Sequence, residues 1–216
     1  MASLPPVGKT GTTRYDGLFD VVQMLSGAFL ALFVCMHMVF LSSVLFGAGA
    51  MDGLSALFEA VHAEAVGGAI VVAAFVAHIV AVGRKIPFRM AESIVMYRHA
   101  RLLHHADTWR WVVQVLTALV LLLMVTVHMW EGFMVMPVAA GTSAVRVQHG
   151  PWGFFYLALL PVLVLHLAIG VWRLSVKWGA LASAARPKAR RWERWFIGAF
   201  LGLALLTLLR LWTLPL

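Results

Sequence analysis

Five apolar runs, each close to the length a helix needs to cross a lipid bilayer, leave this chain few ways to fold. A hydrocarbon core of about 30 Å is crossed by ~20 apolar residues in helical conformation. The runs begin near Val21, Val66, Trp111, Trp152 and Trp195. Inside lipid every backbone N–H and C=O must be satisfied within the segment, so the expected class is all-α: an integral membrane bundle of five transmembrane helices. With 62% of the 216 residues hydrophobic and 12% charged, the runs leave no room for a separate soluble catalytic domain among them.

The expected spans are about 21–46, 66–84, 109–135, 152–178 and 194–212, preceded by a polar tail over 1–20. The tail has no short apolar core with a small-residue cleavage site, so the first span is expected to be retained. Gly47-Ala48-Gly49 should stop the first span, and Leu54 to Val61 reads as a short interfacial helix. Pro161, inside the fourth run, is expected to kink it. No internal repeat or low-complexity stretch is expected. Cys35 is the sole cysteine, which excludes a disulfide framework and covalent c-type haem attachment.

The formal net charge is +8, but the cations lie in connectors beside the spans, so they report topology and not nucleic acid. One side collects Lys9, Arg14, Arg84, Lys85, Arg89, Arg98, Arg101, Arg110, Arg173, Lys177, Arg186, Lys188, Arg190, Arg191 and Arg194, while the opposite connectors hold Arg146 alone. The positive-inside rule then puts the N-terminus in the cytoplasm.

Four of the runs carry one histidine each: His37, His78, His128 and His166. An imidazole in hydrocarbon needs a partner, because leaving it unsatisfied costs about 2 kcal/mol or more. With 1.5 Å per residue and alternating direction, His37 and His128 fall roughly 24 and 25 Å from the inner edge. His78 and His166 fall roughly 6 to 9 Å from it. Two pairs at two depths match the needs of a metalloporphyrin, whose iron takes two axial ligands from opposite sides. The reading is two b-type haems stacked across the membrane, one held by His37 and His128, the other by His78 and His166, an electron path between the two faces. The competing readings are imidazoles satisfied one by one through hydroxyls or carbonyls, and a haem-free, histidine-lined transporter.

Haem propionates need cations. Arg173 and Lys177 follow His166 on nearly the same helical face, and Lys85 follows His78, so these three are candidates for the inner haem; cytoplasmic topology anchors are the alternative. Gly67 and Gly170 would either admit a porphyrin or serve ordinary helix packing.

These residues resemble a known family. The strings Gln23-x-x-Ser26-Gly27 and His37-Met38-x-Phe40, His78 with Arg84-Lys85-x-Pro87, His105-x-Asp107-Thr108, and Trp172-Arg173-Leu174-x-Val176-Lys177-Trp178-Gly179 look like the cytochrome b subunit of bacterial quinol:fumarate reductases and related succinate:quinone oxidoreductases, in the single-chain, five-helix, dihaem form. The similarity runs from about Asp20 to Leu181. It implies a membrane anchor of the bacterial inner membrane that passes electrons between menaquinol and two cytoplasmic partners, a flavoprotein and an iron-sulfur subunit, and it allows a dimer of heterotrimers. Gln23 joins the cofactor-binding candidates. The family's quinol glutamate matches Glu59, which follows Phe58, with His62 and Glu64 as alternatives on the same connector. Where some relatives carry a glutamate two residues before the fourth ligand, this chain has Val164, so an inward proton route through that position is not expected. An inner quinone site near His99 or His105 stays open, as does a cytochrome b of a formate dehydrogenase or hydrogenase.

Overall fold

A computed structural model describes residues 14–86, 94–95, 97–98, 101–102 and 106–216. The tail over 1–13 and the candidates His99 and His105 lie outside the described residues. Among those described, seven α-helices run in the order α1 (Arg14–Ser42), α2 (Ala48–Ala60), α3 (Ala63–Gly83), α4 (Ala106–Met134), α5 (Ala140–Gln148), α6 (Trp152–Lys177) and α7 (Arg186–Trp212). Five segments are long and apolar enough to cross a membrane: Tyr15–Phe46, Ala63–Gly83, Ala106–Met134, Trp152–Lys177 and Ser183–Trp212.

The spans pack as neighbours, α1 along α3, α4 along α6 and α6 along α7, while α1 meets α6 and α7 more lightly. Their large apolar side chains face outward, as lipid-facing helices require: Met36, Val39 and Leu123 are each more than 60% exposed. The helices extend past the apolar runs. α1 starts at Arg14, ahead of the expected start at Val21, and α7 starts at Arg186 with Pro187 in its first turn, where the missing N–H costs nothing.

Ion pairs gather the helix ends into one basic end. Arg84, just after α3, pairs with Asp16 of α1 at 2.9 Å, and Lys177 at the end of α6 pairs with Asp20 at 2.7 Å. At the starts of α4 and α7, Asp107 pairs with Arg190 at 2.6 Å, and Arg110 pairs with Glu193. Trp172 of α6 lies between the last two systems, with the Arg190 guanidinium 4.2 Å and that of Arg110 5.3 Å from its ring.

The opposite end carries a lid. The chain leaves α1 through a 3-10 turn (Ser43–Phe46) and breaks at Gly47, whose φ of +118° suits a residue without a Cβ. α2 and α5 follow from the two connectors on this side. α5 lies in the connector between the expected third and fourth spans, a stretch whose composition predicts loop. Its Gly141, Thr142 and Ser143 argue against a helix by propensity. Its Ala140, Ala144 and Val147 nevertheless form a stripe buried against Val44, Met51, Leu208 and Leu211. The Asp52 carboxylate of α2 accepts the Ala140 N–H at 2.8 Å, at the N-terminus of α5. The Gln148 amide donates to the Leu211 and Leu214 carbonyls at 2.9 and 2.8 Å, closing the end of α7.

The lid is tight at Gly153, where an added Cβ would lie 2.7 Å from the Val147 carbonyl oxygen and 2.8 Å from the Trp212 ring. Gly153→Val is expected to lower stability by about 1 to 3 kcal/mol, seen as a lower thermal midpoint of the protein in mild detergent.

Candidate functional site: two levels of paired histidines

The four histidines sit on α1, α3, α4 and α6, and each is half-buried. At the lid-end level, the rings of His37 and His128 face each other across α1 and α4 with centroids 6.1 Å apart. Phe33 stacks on His37 at 5.6 Å, and Tyr156 meets His128 edge-on at 5.6 Å. The buried Nδ1 of His128 has no protein partner among the described residues. Two metal–imidazole bonds of about 2 Å, added to two ring radii, need roughly 6 Å between centroids, which is the separation of these rings.

At the basic-end level, His78 and His166 lie within electrostatic range of each other. His78 Nδ1 is 3.1 Å from Ser26 Oγ of α1, and His166 Nδ1 is 2.9 Å from Thr117 Oγ1 of α4. The Gln114 amide nitrogen lies 3.3 Å from His166 Nε2. Gly27 lets the His78 ring rest on α1, since a Cβ there would be 3.1 Å from His78 Cε1.

Ser26, Gly27, Gln114 and Thr117 are the site residues that the single-residue reading of the sequence passed over, although Ser26 and Gly27 stand in one of its strings. A signal was present. The runs 21–38 and 112–129 align without a gap, sharing Val-Val-Gln-x-Leu-(Ser/Thr) at the start and His-Met at the end. This corrects the expectation of no internal repeat. In each copy the histidine comes eleven positions after the hydroxyl, which separates the two levels by roughly 16 Å along the helix.

The expected cations divide. Lys85 donates to Gln23 Oε1 and pairs with Asp20, which also holds Lys177, so Gln23, Lys85 and Lys177 meet at one spot around Asp20 on the basic-end side of His78. Arg173 is instead within electrostatic reach of Asp107 and Arg110, on the α4 side. Gly67 has nothing within reach of an added Cβ, whereas Gly170 faces the Gln114 amide at 3.3 Å.

On the lid side, Glu59 is exposed near the end of α2, next to Phe58, whose ring tilts onto Phe40 of α1 at 5.4 Å. Glu64 accepts from Ser55 at 3.1 Å, and His62 takes a left-handed conformation at φ +53° between α2 and α3. Glu131 pairs with Arg146 of α5 at 2.8 Å, both largely buried. Val164 is packed inside with 1% exposure. Among the described residues no three His, Cys, Asp or Glu side chains group as a protein-only metal site would need. Two imidazoles per level suit a metal whose other positions are already filled.

Over residues 90–208 the chain matches the family described as the succinate dehydrogenase/fumarate reductase transmembrane subunit. It belongs to that family. The fumarate reductase cytochrome b subunit of Wolinella succinogenes is 32% identical over 189 residues, covering 82% of this chain and 73% of the relative. The protein of the same name from Helicobacter pylori is 28% identical over 193 residues, with 84% and 74% covered. A transmembrane subunit of this family accounts for the five candidate spans, and the matched stretch takes in His128, His166, Thr117 and Lys177.

The Glu131–Arg146 pair is testable on its own. Removing one partner leaves a buried charge, so Glu131→Gln is expected to destabilise the protein by about 3 kcal/mol, and the double change Glu131→Gln with Arg146→Gln by less. Thermal unfolding of the three variants measures the difference.

Proposed function

We propose that this chain is the membrane anchor and electron-transfer subunit of a quinol:fumarate reductase, with two bis-histidine b haems. Its relatives' shared name supports the enzyme. The single observation that carries the haem reading is the grouping of four histidines at two levels about three helical turns apart, His37 with His128 at 6.1 Å between ring centroids and His78 within electrostatic range of His166. In this reading the N-terminus and the basic end face the cytoplasm, where a flavoprotein and an iron-sulfur subunit dock, and the lid faces outward from the bacterial inner membrane.

Bound haem supplies reversible one-electron relay through the apolar layer. The chain's own residues do the rest. His37 and His128 hold the outer group, and His78 and His166 the inner one. Gln23, Lys85 and Lys177, gathered at the basic end, are the cofactor-binding residues for the inner propionates, and Arg173 approaches the same haem from the α4 side. Asp20 holds Lys85 and Lys177 in place, so a propionate there meets cations that are already oriented.

Oxidation of menaquinol to menaquinone releases two electrons and two protons. Glu59, exposed on the lid side of the His37–His128 level, is the base that takes those protons as the electrons leave. With Val164 buried and apolar, the protons leave on the lid side and are not returned inward at that position. The electrons reach the cytoplasmic partners, where fumarate takes up two electrons and two protons to give succinate.

A pyridine haemochrome assay on the purified chain is expected to find two b haems; none would overturn the reading and favour a haem-free transporter. His37→Ala and His166→Ala are each expected to remove one haem and to uncouple menaquinol oxidation from fumarate reduction, with retention of both haems in either variant refuting the ligands. Glu59→Gln is expected to abolish menaquinol oxidation with both haems in place. Normal turnover would move the quinol site elsewhere.

A further inference from the structure

Ser26 and Thr117 share a geometry that goes beyond helix back-bonding. Each hydroxyl donates its one proton to the carbonyl four residues earlier, Ser26 to Val22 at 2.6 Å and Thr117 to Val113 at 2.8 Å. A hydroxyl has one proton and two lone pairs, so with that proton used it can only accept from a further neighbour. The further neighbour is an imidazole Nδ1, of His78 at 3.1 Å and of His166 at 2.9 Å. Both Nδ1 atoms therefore carry hydrogen, and both Nε2 atoms carry the lone pair. The Gln114 amide lies 3.3 Å from His166 Nε2, the ring nitrogen on the other side from Thr117.

At the other level His128 has no such acceptor, its buried Nδ1 being unpartnered among the described residues. Both hydroxyls stand at the same place in the repeat, so α1 and α4 each bring an imidazole to the lid-end level and a hydroxyl acceptor to the basic-end level.

We propose that Ser26 and Thr117 are positioning residues for the basic-end haem. They lock His78 and His166 in the tautomer that offers Nε2 to iron, and they strengthen both imidazoles as donors. This rests on the bis-histidine reading above. A ligating imidazole whose N–H is held by an acceptor is more basic and donates more to the metal. The oxidised, more positive iron gains most from that, so the two hydrogen bonds lower the midpoint potential of this haem. The Gln114 side chain lies against His166 Nε2 and must move aside when the haem is bound.

The test is redox titration of the two haems in the intact complex, the basic-end haem being the one lost in His78→Ala. Ser26→Ala and Thr117→Val are each expected to raise the potential of that haem and leave the other unmoved. The expected size is a roughly tenfold change in its ferrous-to-ferric equilibrium, about 59 mV for one electron. Ser26→Thr and Thr117→Ser keep the hydroxyl and are expected to keep the wild-type potential. Loss of the basic-end haem in Ser26→Ala, with its retention in Ser26→Thr, also supports the lock. Two haems at unchanged potentials in Ser26→Ala and Thr117→Val would overturn the inference and leave the ligand assignment standing. Loss of haem from both Ser26→Ala and Ser26→Thr would also overturn it. A wild-type chain without haem would overturn the ligand assignment and the inference together.

Discussion

A polar ring placed in hydrocarbon has no water to turn to, and much of this structure follows from how four imidazoles are accommodated. None of them is satisfied on its own helix. His78 of α3 leans on α1, His166 of α6 leans on α4, and His37 and His128 meet each other across α1 and α4. The helix neighbours follow the same division, α3 beside α1 and α6 beside α4. The polar contacts thus tie the spans into two pairs, and the facing lid-end rings tie the pairs together. The apolar faces are left free to meet lipid.

The spans, their alternation and the two heights of the histidines were legible in the sequence, because lipid imposes a length and the helix imposes a rise per residue. A periodicity argument cannot see what holds a ring. Ser26 and Thr117 are ordinary small polar residues by sequence, and their place beside the imidazoles comes from the packing of α1 on α3 and of α4 on α6. The repeat itself is masked by interchange of apolar side chains, which lipid-facing positions tolerate freely. α5 was hidden for a different reason. Its Ala140, Ala144 and Val147 stripe is small and interrupted by poor helix formers, so its helicity depends on burial against Val44, Met51 and Leu211, on elements distant in sequence.

Charge is managed differently at the two ends. At the basic end, Asp20 sits among Arg84, Lys85 and Lys177, so one carboxylate serves three cations brought by α3 and α6. Because α1 runs on through Asp20, a residue that the apolar pattern assigned to a tail becomes the centre of that group. At the lid end the charges are mostly acidic, Asp52, Glu59, Glu64 and Glu131, and Arg146 pairs with Glu131. The basic end therefore has cations to share with an anionic group, and the lid end has almost none.

The lid's apolar filling comes from distant parts of the chain: Val44 and Met51 from around α2, Ala144 and Val147 from α5, and Leu208, Leu211 and Leu214 from the end of α7 and just beyond. Until the ribosome has delivered α7, those earlier pieces have no floor to settle on. The upper rim therefore takes its final packing only once the last helix is in place.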